Sequence, residues 1–407
     1  MGRGPLLAAL VLVGACTAQG PTRPSLTDRE LLEGAPFGAG VDAVPPITAA
    51  QASGLDDDMR AFVAASIGSA VDPRVKLRRL FDGMKRDGLF ALVYSGVETR
   101  TVRETFRERR GNCLSFTMMF VALAREAGLD VKYQLVDVPP TWSAETELIV
   151  VRSHVNAVVK TGFDSSAVVD FNLFDAKSGY SRRDVADDYV LGLFYSNVGA
   201  ESLIDKDYEL AFRHLRESAT VAPRSVAAWV NLGALYSRQG SSDYAEAAYL
   251  HALAIEPNNR SALNNLARLY TARGDVALAE IYAQRVRRYQ DTNPYFHYSL
   301  ARDAYVNGRL DEALDEIHRA LRLKRDEPEF YLLQGRTLLE TNRADAAQVA
   351  FDRGRELAES SVSRDEYDAR VQAIAHPSAE QAGGAALPEQ TANTGGEDQD
   401  ERSLGEF

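Results

Sequence analysis

From residue 226 to residue 257 the chain reads VAAWVNLGALYSRQGSSDYAEAAYLHALAIEP, and this stretch decides the architecture of everything after it. Counting Val226 as position one, large apolar residues stand at positions four, seven and eleven (Trp229, Leu232, Tyr236). Gly233 is at position eight and Ala245 at position twenty; Tyr249, Ala252 and Pro257 follow. The pattern returns every 34 residues: Leu266, Ala267, Tyr270 and Ala279, then Leu300, Ala301, Ala313 and Ala320, then Gly335, Leu338, Ala347 and Phe351. One period back, Gly199, Ala211, Leu215 and Pro223 mark a degenerate first unit. Apolar spacings of three and four residues are helical. Small residues at positions eight and twenty let two helices approach closely, while the large ones fill the seam. A phase held over five units describes stacked helical pairs, which a generic bundle would not maintain.

The unit resembles the tetratricopeptide repeat, which implies an all-α solenoid over residues 192–361 with a concave face that receives a protein or peptide. Position nine of three successive units carries Arg268, Arg302 and Arg336; position five carries Asn264, Tyr298 and Leu332. A row of guanidinium groups beside an amide and an aromatic suits carboxylate recognition, because Arg donates two parallel hydrogen bonds. The competing reading is that these arginines pair with acids on neighbouring helices and are otherwise solvated. If the ladder binds, its ligand is acidic, and the chain's own segment 397–401 is a candidate occupant.

Upstream the period changes. Asp56 reads as an N-cap with Met59, Phe62 and Val63 on one face, and Asp72-Pro73 as a cap with Pro at the first helical position. Val75, Leu77, Leu80, Phe81 and Met84 supply the stripe of that second helix. Residues 111–127 read as another helix stopped by Gly128. Alternation then marks strands at Val131–Leu135, Val155–Val159 and Val168–Phe171. Helices followed by strands indicate an α+β domain over residues 49–191.

That domain contains one cysteine and one histidine; the other histidines, His214, His251, His297, His318 and His376, lie in the repeats or beyond. A thiol–imidazole pair within it is therefore Cys113 with His154. A free cysteine, with a pKa near ~8.5, is mostly protonated at neutral pH, and an adjacent imidazole and a helix N-terminus both favour the thiolate. Asp170, on a following strand, is the best candidate to hold the other ring nitrogen.

The run Arg110-Gly111-Asn112-Cys113-Leu114-Ser115, continuing to Ala122-Leu123-Ala124-Arg125-Glu126-Ala127-Gly128-Leu129, resembles the nucleophile motif of the transglutaminase-like superfamily. His154-Val155-Asn156-Ala157-Val158 resembles that family's His strand and Val168-Val169-Asp170 its Asp strand. The resemblance implies a papain/transglutaminase-like α+β fold and a Cys113–His154–Asp170 thiol acyltransferase or amide hydrolase acting on peptide or protein amides. Where the family often has an aromatic two residues after the His, this chain has Asn156. The competing reading is a non-catalytic envelope scaffold or adaptor that works through its repeats.

The formal net charge of -12 argues against nucleic acid as a partner, since phosphate binding needs a basic surface. Seven acids against Arg402 after Pro377 place half of that charge in the tail, residues 362–407, whose Gly, Ala and Gln content reads as disorder from about residue 377. No cofactor is implied, and one Cys with one His does not make a zinc site. At the other end, Arg3 and the apolar run Leu6–Val13 form a signal peptide too short to span a bilayer when mature. Its end, Val13-Gly14-Ala15-Cys16, resembles the lipobox of bacterial lipoproteins, which implies removal of residues 1–15 and lipidation of Cys16. Residues 16–48, rich in Pro and Gly, read as a tether. Thr17, where an Asp would resemble an inner-membrane retention signal, points to the periplasmic face of the outer membrane.

Overall fold

The computed structural model describes residues 26–38, 47–89, 93–94, 98–137, 153–163, 165–171, 182–358 and 361–375. Residues 1–15, read above as a signal peptide, Cys16, most of the stretch read as a tether, His376 and the rest of the tail, including the acidic segment 397–401, lie outside the described residues.

The two caps read from the sequence form as expected. Asp56 accepts from the Met59 N–H at the start of α3 (Asp57–Ile67), and Asp72 accepts from Arg74 and Val75 ahead of Pro73 in α4 (Pro73–Arg86). Met59, Phe62, Val63, Leu77, Leu80 and Met84 enter the first core, whereas Val75, placed on the stripe by its spacing, is exposed. Two short helices, α1 (Asp28–Glu33) and α2 (Ala49–Ser53), precede them. After α5 (Val102–Glu108) comes α6 (Cys113–Glu126), the central helix of this domain; ten of its fourteen residues are buried. Gly128, at φ +70°, turns the chain out of it.

The sheet follows. Strands β3 (Val131–Asp137), β4 (Ser153–Lys160), β5 (Ser166–Val169) and β6 (Arg182–Val185) lie in the order β5-β4-β3-β6, each antiparallel to its neighbour. Val155, Ala157 and Val159 share one core with the apolar face of α6. Strand β6, which carries Arg182, Arg183 and Asp184, has no apolar alternation to announce it. A small parallel pair, β1 (Val93–Tyr94) with β2 (Arg110–Gly111), leads into the start of α6.

The repeat units are antiparallel helix pairs: α7 (Asp187–Ile204) with α8 (Tyr208–Val221), α9 (Val226–Arg238) with α10 (Ser242–Ile255), α11 (Arg260–Arg273) with α12 (Val276–Asp291), α13 (Pro294–Val306) with α14 (Leu310–Leu323), and α15 (Pro328–Glu340) with α16 (Ala344–Leu357). Position eight does what its size implies. A Cβ at Gly199, Gly233 or Gly335 would overlap Leu215, Tyr249 or Phe351, and these three partners are themselves 34 or a multiple of 34 residues apart.

Two features depart from the sequence reading. First, residues 27–37 are not open tether. Helix α1 and a 3-10 turn (Ala35–Phe37) fold onto the repeats, with Leu31 buried in their core and the Phe37 ring stacked on Phe212 at 4.7 Å. Tyr236 donates to the Leu31 carbonyl, Gln239 donates to the Pro36 carbonyl at 2.8 Å, and His251 Nδ1 meets Asp28 at 2.7 Å. Second, the boundary at 191/192 falls inside α7. The first half of this helix gives Val190, Leu193, Phe194 and Tyr195 to the enzyme-like core, and Leu203 near its end belongs to the repeat core. Residues 361–375 form α17 (Ser361–Ala375), whose Tyr367 is buried over Gly354, so the array ends in a covering helix.

Candidate active site

The site is built around the first turn of α6. Gly111, at φ +151°, brings the backbone against Ser115 so closely that a Cβ there would lie 2.8 Å from its side chain. Asn112 caps the helix: its Oδ1 accepts from the Ser115 N–H at 3.0 Å and from the Ser115 hydroxyl at 3.1 Å. Cys113 is thus the first helical residue, half-buried, at the positive end of the helix dipole. One turn on, the Thr117 hydroxyl donates to the Val155 carbonyl at 3.0 Å and ties α6 to β4 beside His154.

His154 is buried near the start of β4, opposite Val136 of β3. Asp170 follows the last residue of β5, and its Oδ1 lies 2.6 Å from His154 Nε2. The next residue, Phe171, packs against Phe116 and Phe120 of α6 and so fixes where the strand leaves the sheet. Cys113 is the other group that acts on the ring, and like Asp170 it favours the protonated imidazole. With Nε2 committed to the carboxylate, Nδ1 is the nitrogen left for the sulfur. Burial opposes a charge on this ring, but the hydrogen bonds and charges of Asp170 and Cys113 outweigh it, and the imidazole is pushed up to about 9. It therefore carries its proton through neutral pH.

The structure thus brings together Cys113, His154 and Asp170. Around them stand buried polar side chains, of which Gln134 and Thr99 had no signal in the sequence. Asn156, two positions after the His, is fully buried with both side-chain polar atoms unpaired, and its cross-strand neighbour Gln134 has an unpaired buried Oε1. Behind the cap, Asn112 Nδ2 donates to Thr99 Oγ1 at 2.7 Å. Among the described residues no group of three His, Cys, Asp or Glu side chains could hold a metal ion.

The arginine positions are further along the chain, on the first helices of their units. Arg268 on α11 and Arg302 on α13 are exposed. Arg336 on α15 is half-buried with its guanidinium over the Tyr305 ring at 4.8 Å. Asn264 is half-buried. Tyr298, expected to face the ligand, instead stacks on Phe330 at 5.0 Å against the repeat core, and Leu332 is buried there. Position five of the later units therefore serves packing, because it follows position four on the inner side of the helix.

Known families match both halves of this arrangement. Residues 60–173 match the Transglutaminase-like superfamily, and residues 226–259 and 298–361 match the Tetratricopeptide repeat. The chain carries a transglutaminase-like domain followed by tetratricopeptide repeats. The superfamily match spans Cys113, His154 and Asp170. Among curated proteins, the Tetratricopeptide repeat-containing protein trd-1 of Caenorhabditis elegans is 23% identical over 188 residues, 46% of this chain and 24% of its own length. Protein O-mannosyl-transferase TMTC1 of Homo sapiens is 28% identical over 166 residues, 40% of this chain and 18% of its own length. The chain spans less than a quarter of the length of these relatives. Among solved structures, a MamA fragment from Desulfovibrio magneticus RS-1 is 18% identical with a TM-score of 0.24, covering 43% of this chain and 98% of its own. YrrB, solved as a TPR protein with an unusual peptide-binding site, is 15% identical with a TM-score of 0.23, covering 44% of this chain and 92% of its own. The transglutaminase-like domain thus lies over α3 to β5, and tetratricopeptide repeats bind protein or peptide partners.

Proposed function

We propose that the transglutaminase-like domain is a thiol enzyme acting on peptide or protein amides, presented outside the cytoplasm on a lipid anchor. The observation that carries the reading is the imidazole of His154 held between the Asp170 carboxylate at 2.6 Å and the Cys113 thiol at a helix N-terminus. Sγ of Cys113 attacks the amide carbonyl carbon as a thiolate, and His154 keeps the proton. The Cys113 N–H, at a helix position with no intrahelical acceptor, can donate to the developing oxyanion. As the C–N bond breaks, His154 Nδ1 protonates the leaving amine, and the thioester passes to water or to a second amine. Asp170 keeps the ring in the tautomer that this proton traffic needs. The alkylation rate of Cys113 in the parent and in His154→Ala tests the reading; equal rates would leave the scaffold reading in its place.

The anchor rests on the motif that ends at Cys16. With lipid on that cysteine the protein fractionates with membranes, and Cys16→Ser is expected to release it or leave it unprocessed. Wild-type protein recovered wholly in the soluble fraction would contradict the anchor.

For the repeats, the reading is an acidic peptide held by Arg268, Arg302 and Arg336. Arg238, on the neighbouring helix α9, adds to it: burial first, and in smaller part the like charge of Arg268, hold its guanidinium below the usual range. Like charges close enough to influence each other both gain from an anion bound nearby. Titrating an acidic peptide onto the full chain is expected to show about tenfold weaker binding for Arg302→Ala, the scale of one charged hydrogen bond. Unchanged affinity in both Arg302→Ala and Arg268→Ala would remove the ladder. The full chain is required because a fragment starting at residue 192 cuts α7 within the core it shares with the enzyme domain.

A further inference from the structure

Helix α7 reaches back into the active-site domain with a charged side chain. Glu201, near its C-terminal end, accepts from the Thr99 N–H at 2.8 Å. Thr99 is buried, and its Oγ1 accepts from Asn112 Nδ2 at 2.7 Å. Asn112 is buried in turn, with Oδ1 on the Ser115 N–H. The amide of Asn112 thus donates to the Thr99 side chain, and Thr99 is itself tied to Glu201 through its backbone N–H. The direction matters at Asn112. A side-chain amide turned over would present its NH2 to the Ser115 N–H, two donors facing each other, and the cap would be lost.

We infer that Glu201 is a positioning residue for the nucleophile: through Thr99 it fixes the amide of Asn112 in the orientation that caps α6, and so holds the first helical turn on which Cys113 sits. The carboxylate comes from the first repeat unit, whose Gly199 packs on Leu215 of α8 only two residues earlier in the chain. The transglutaminase-like domain therefore borrows part of its site from the tetratricopeptide array. This rests on the reading of Cys113 as the nucleophile.

The test is a double-mutant cycle on the full chain, with the rate of Cys113 alkylation by iodoacetamide at pH 7 followed by peptide mapping. Glu201→Ala is expected to slow alkylation about fivefold, the scale of a lost helix cap, and Asn112→Ala by at least as much. The double variant is expected to match Asn112→Ala alone to within about twofold, because both changes break one chain. Glu201→Gln keeps an acceptor oxygen and recovers most of the rate. Thr99→Val keeps the N–H bond to Glu201 but breaks the relay, and is expected to behave as Glu201→Ala; it serves as the second variant if the alanine fails to fold. Parent-like rates in Glu201→Ala and Thr99→Val, or losses that multiply onto Asn112→Ala, overturn the relay. His154→Ala at the parent rate would instead overturn the thiol-enzyme reading beneath it, so the two failures are told apart.

Discussion

His154→Ala is expected to lower the rate of Cys113 alkylation at pH 7 roughly tenfold, and the rate of any acyl transfer far more. The imidazole is the base beside the sulfur, and the thiolate rather than the thiol is the nucleophile. Acyl transfer loses more because the same ring must also protonate the leaving amine, a contribution of about 10² to 10⁴. Alkylation at several pH values with mapping of the modified peptide separates Cys113 from Cys16. A parent protein whose Cys113 reacts like a free thiol would end the enzyme reading, however well the three side chains are placed.

The legible parts of this molecule are those written in local or periodic code. The repeats declare themselves because Gly199, Gly233 and Gly335 each face the residue sixteen positions later, Leu215, Tyr249 and Phe351, so a tight helix contact recurs at a fixed period. The candidate triad could be assembled because a lone Cys and a lone His in an α+β segment leave a single pairing, and because Cys113 opens an amphipathic run while His154 opens an alternating one. Thr99 and Glu201 could not be found in this way. They are 102 residues apart, each is unremarkable in its own neighbourhood, and only the fold makes them adjacent. The docked segment 27–37 was hidden for a different reason. Its hold on the repeats depends on Leu31, Phe37 and two backbone carbonyls read by Tyr236 and Gln239, and carbonyls carry no sequence signature. The same applies to α7, whose helical signal is continuous while its burial switches from one core to the other.

That sharing bears on how the two halves act together. In most two-domain chains the connection is an exposed linker and each half can be studied alone. Here the connection is an 18-residue helix buried in both cores, and the Tyr195 hydroxyl on it donates to the Ile47 carbonyl at 2.6 Å. Under the proposed function, a peptide taken up by the repeats would be tied through this helix to the domain that carries Cys113, which would raise the local concentration of any amide it carries.

The electrostatics of His154 give the second large effect, and its sign is fixed by which group does the raising. Burial alone would lower the ring's value; Asp170 is the strongest influence in the other direction and Cys113 the next, with the result about 9. Removing the carboxylate by Asp170→Asn, which keeps the volume, is expected to drop the midpoint by well over one unit, toward or below the ordinary ~6.5 of a histidine. Cys113→Ala is expected to lower it by less. NMR titration of the His154 ring reads both directly. Because the folded-state value is raised above the unfolded one, the protonated ring stabilises the fold fully below about pH 6.5, and that contribution is lost as pH rises through about 9. The thermal advantage of the parent over Asp170→Asn should accordingly be full at pH 6, shrink as pH rises beyond about 6.5, and be gone above about pH 9. Amide turnover should follow the same limb: level through neutral pH in the parent, falling as the ring loses its proton near 9, and already reduced by about 10² at pH 7 in Asp170→Asn because the leaving amine has lost its acid. A His154 midpoint that stays near 9 in Asp170→Asn would show that the carboxylate 2.6 Å away is not what holds the proton on the ring.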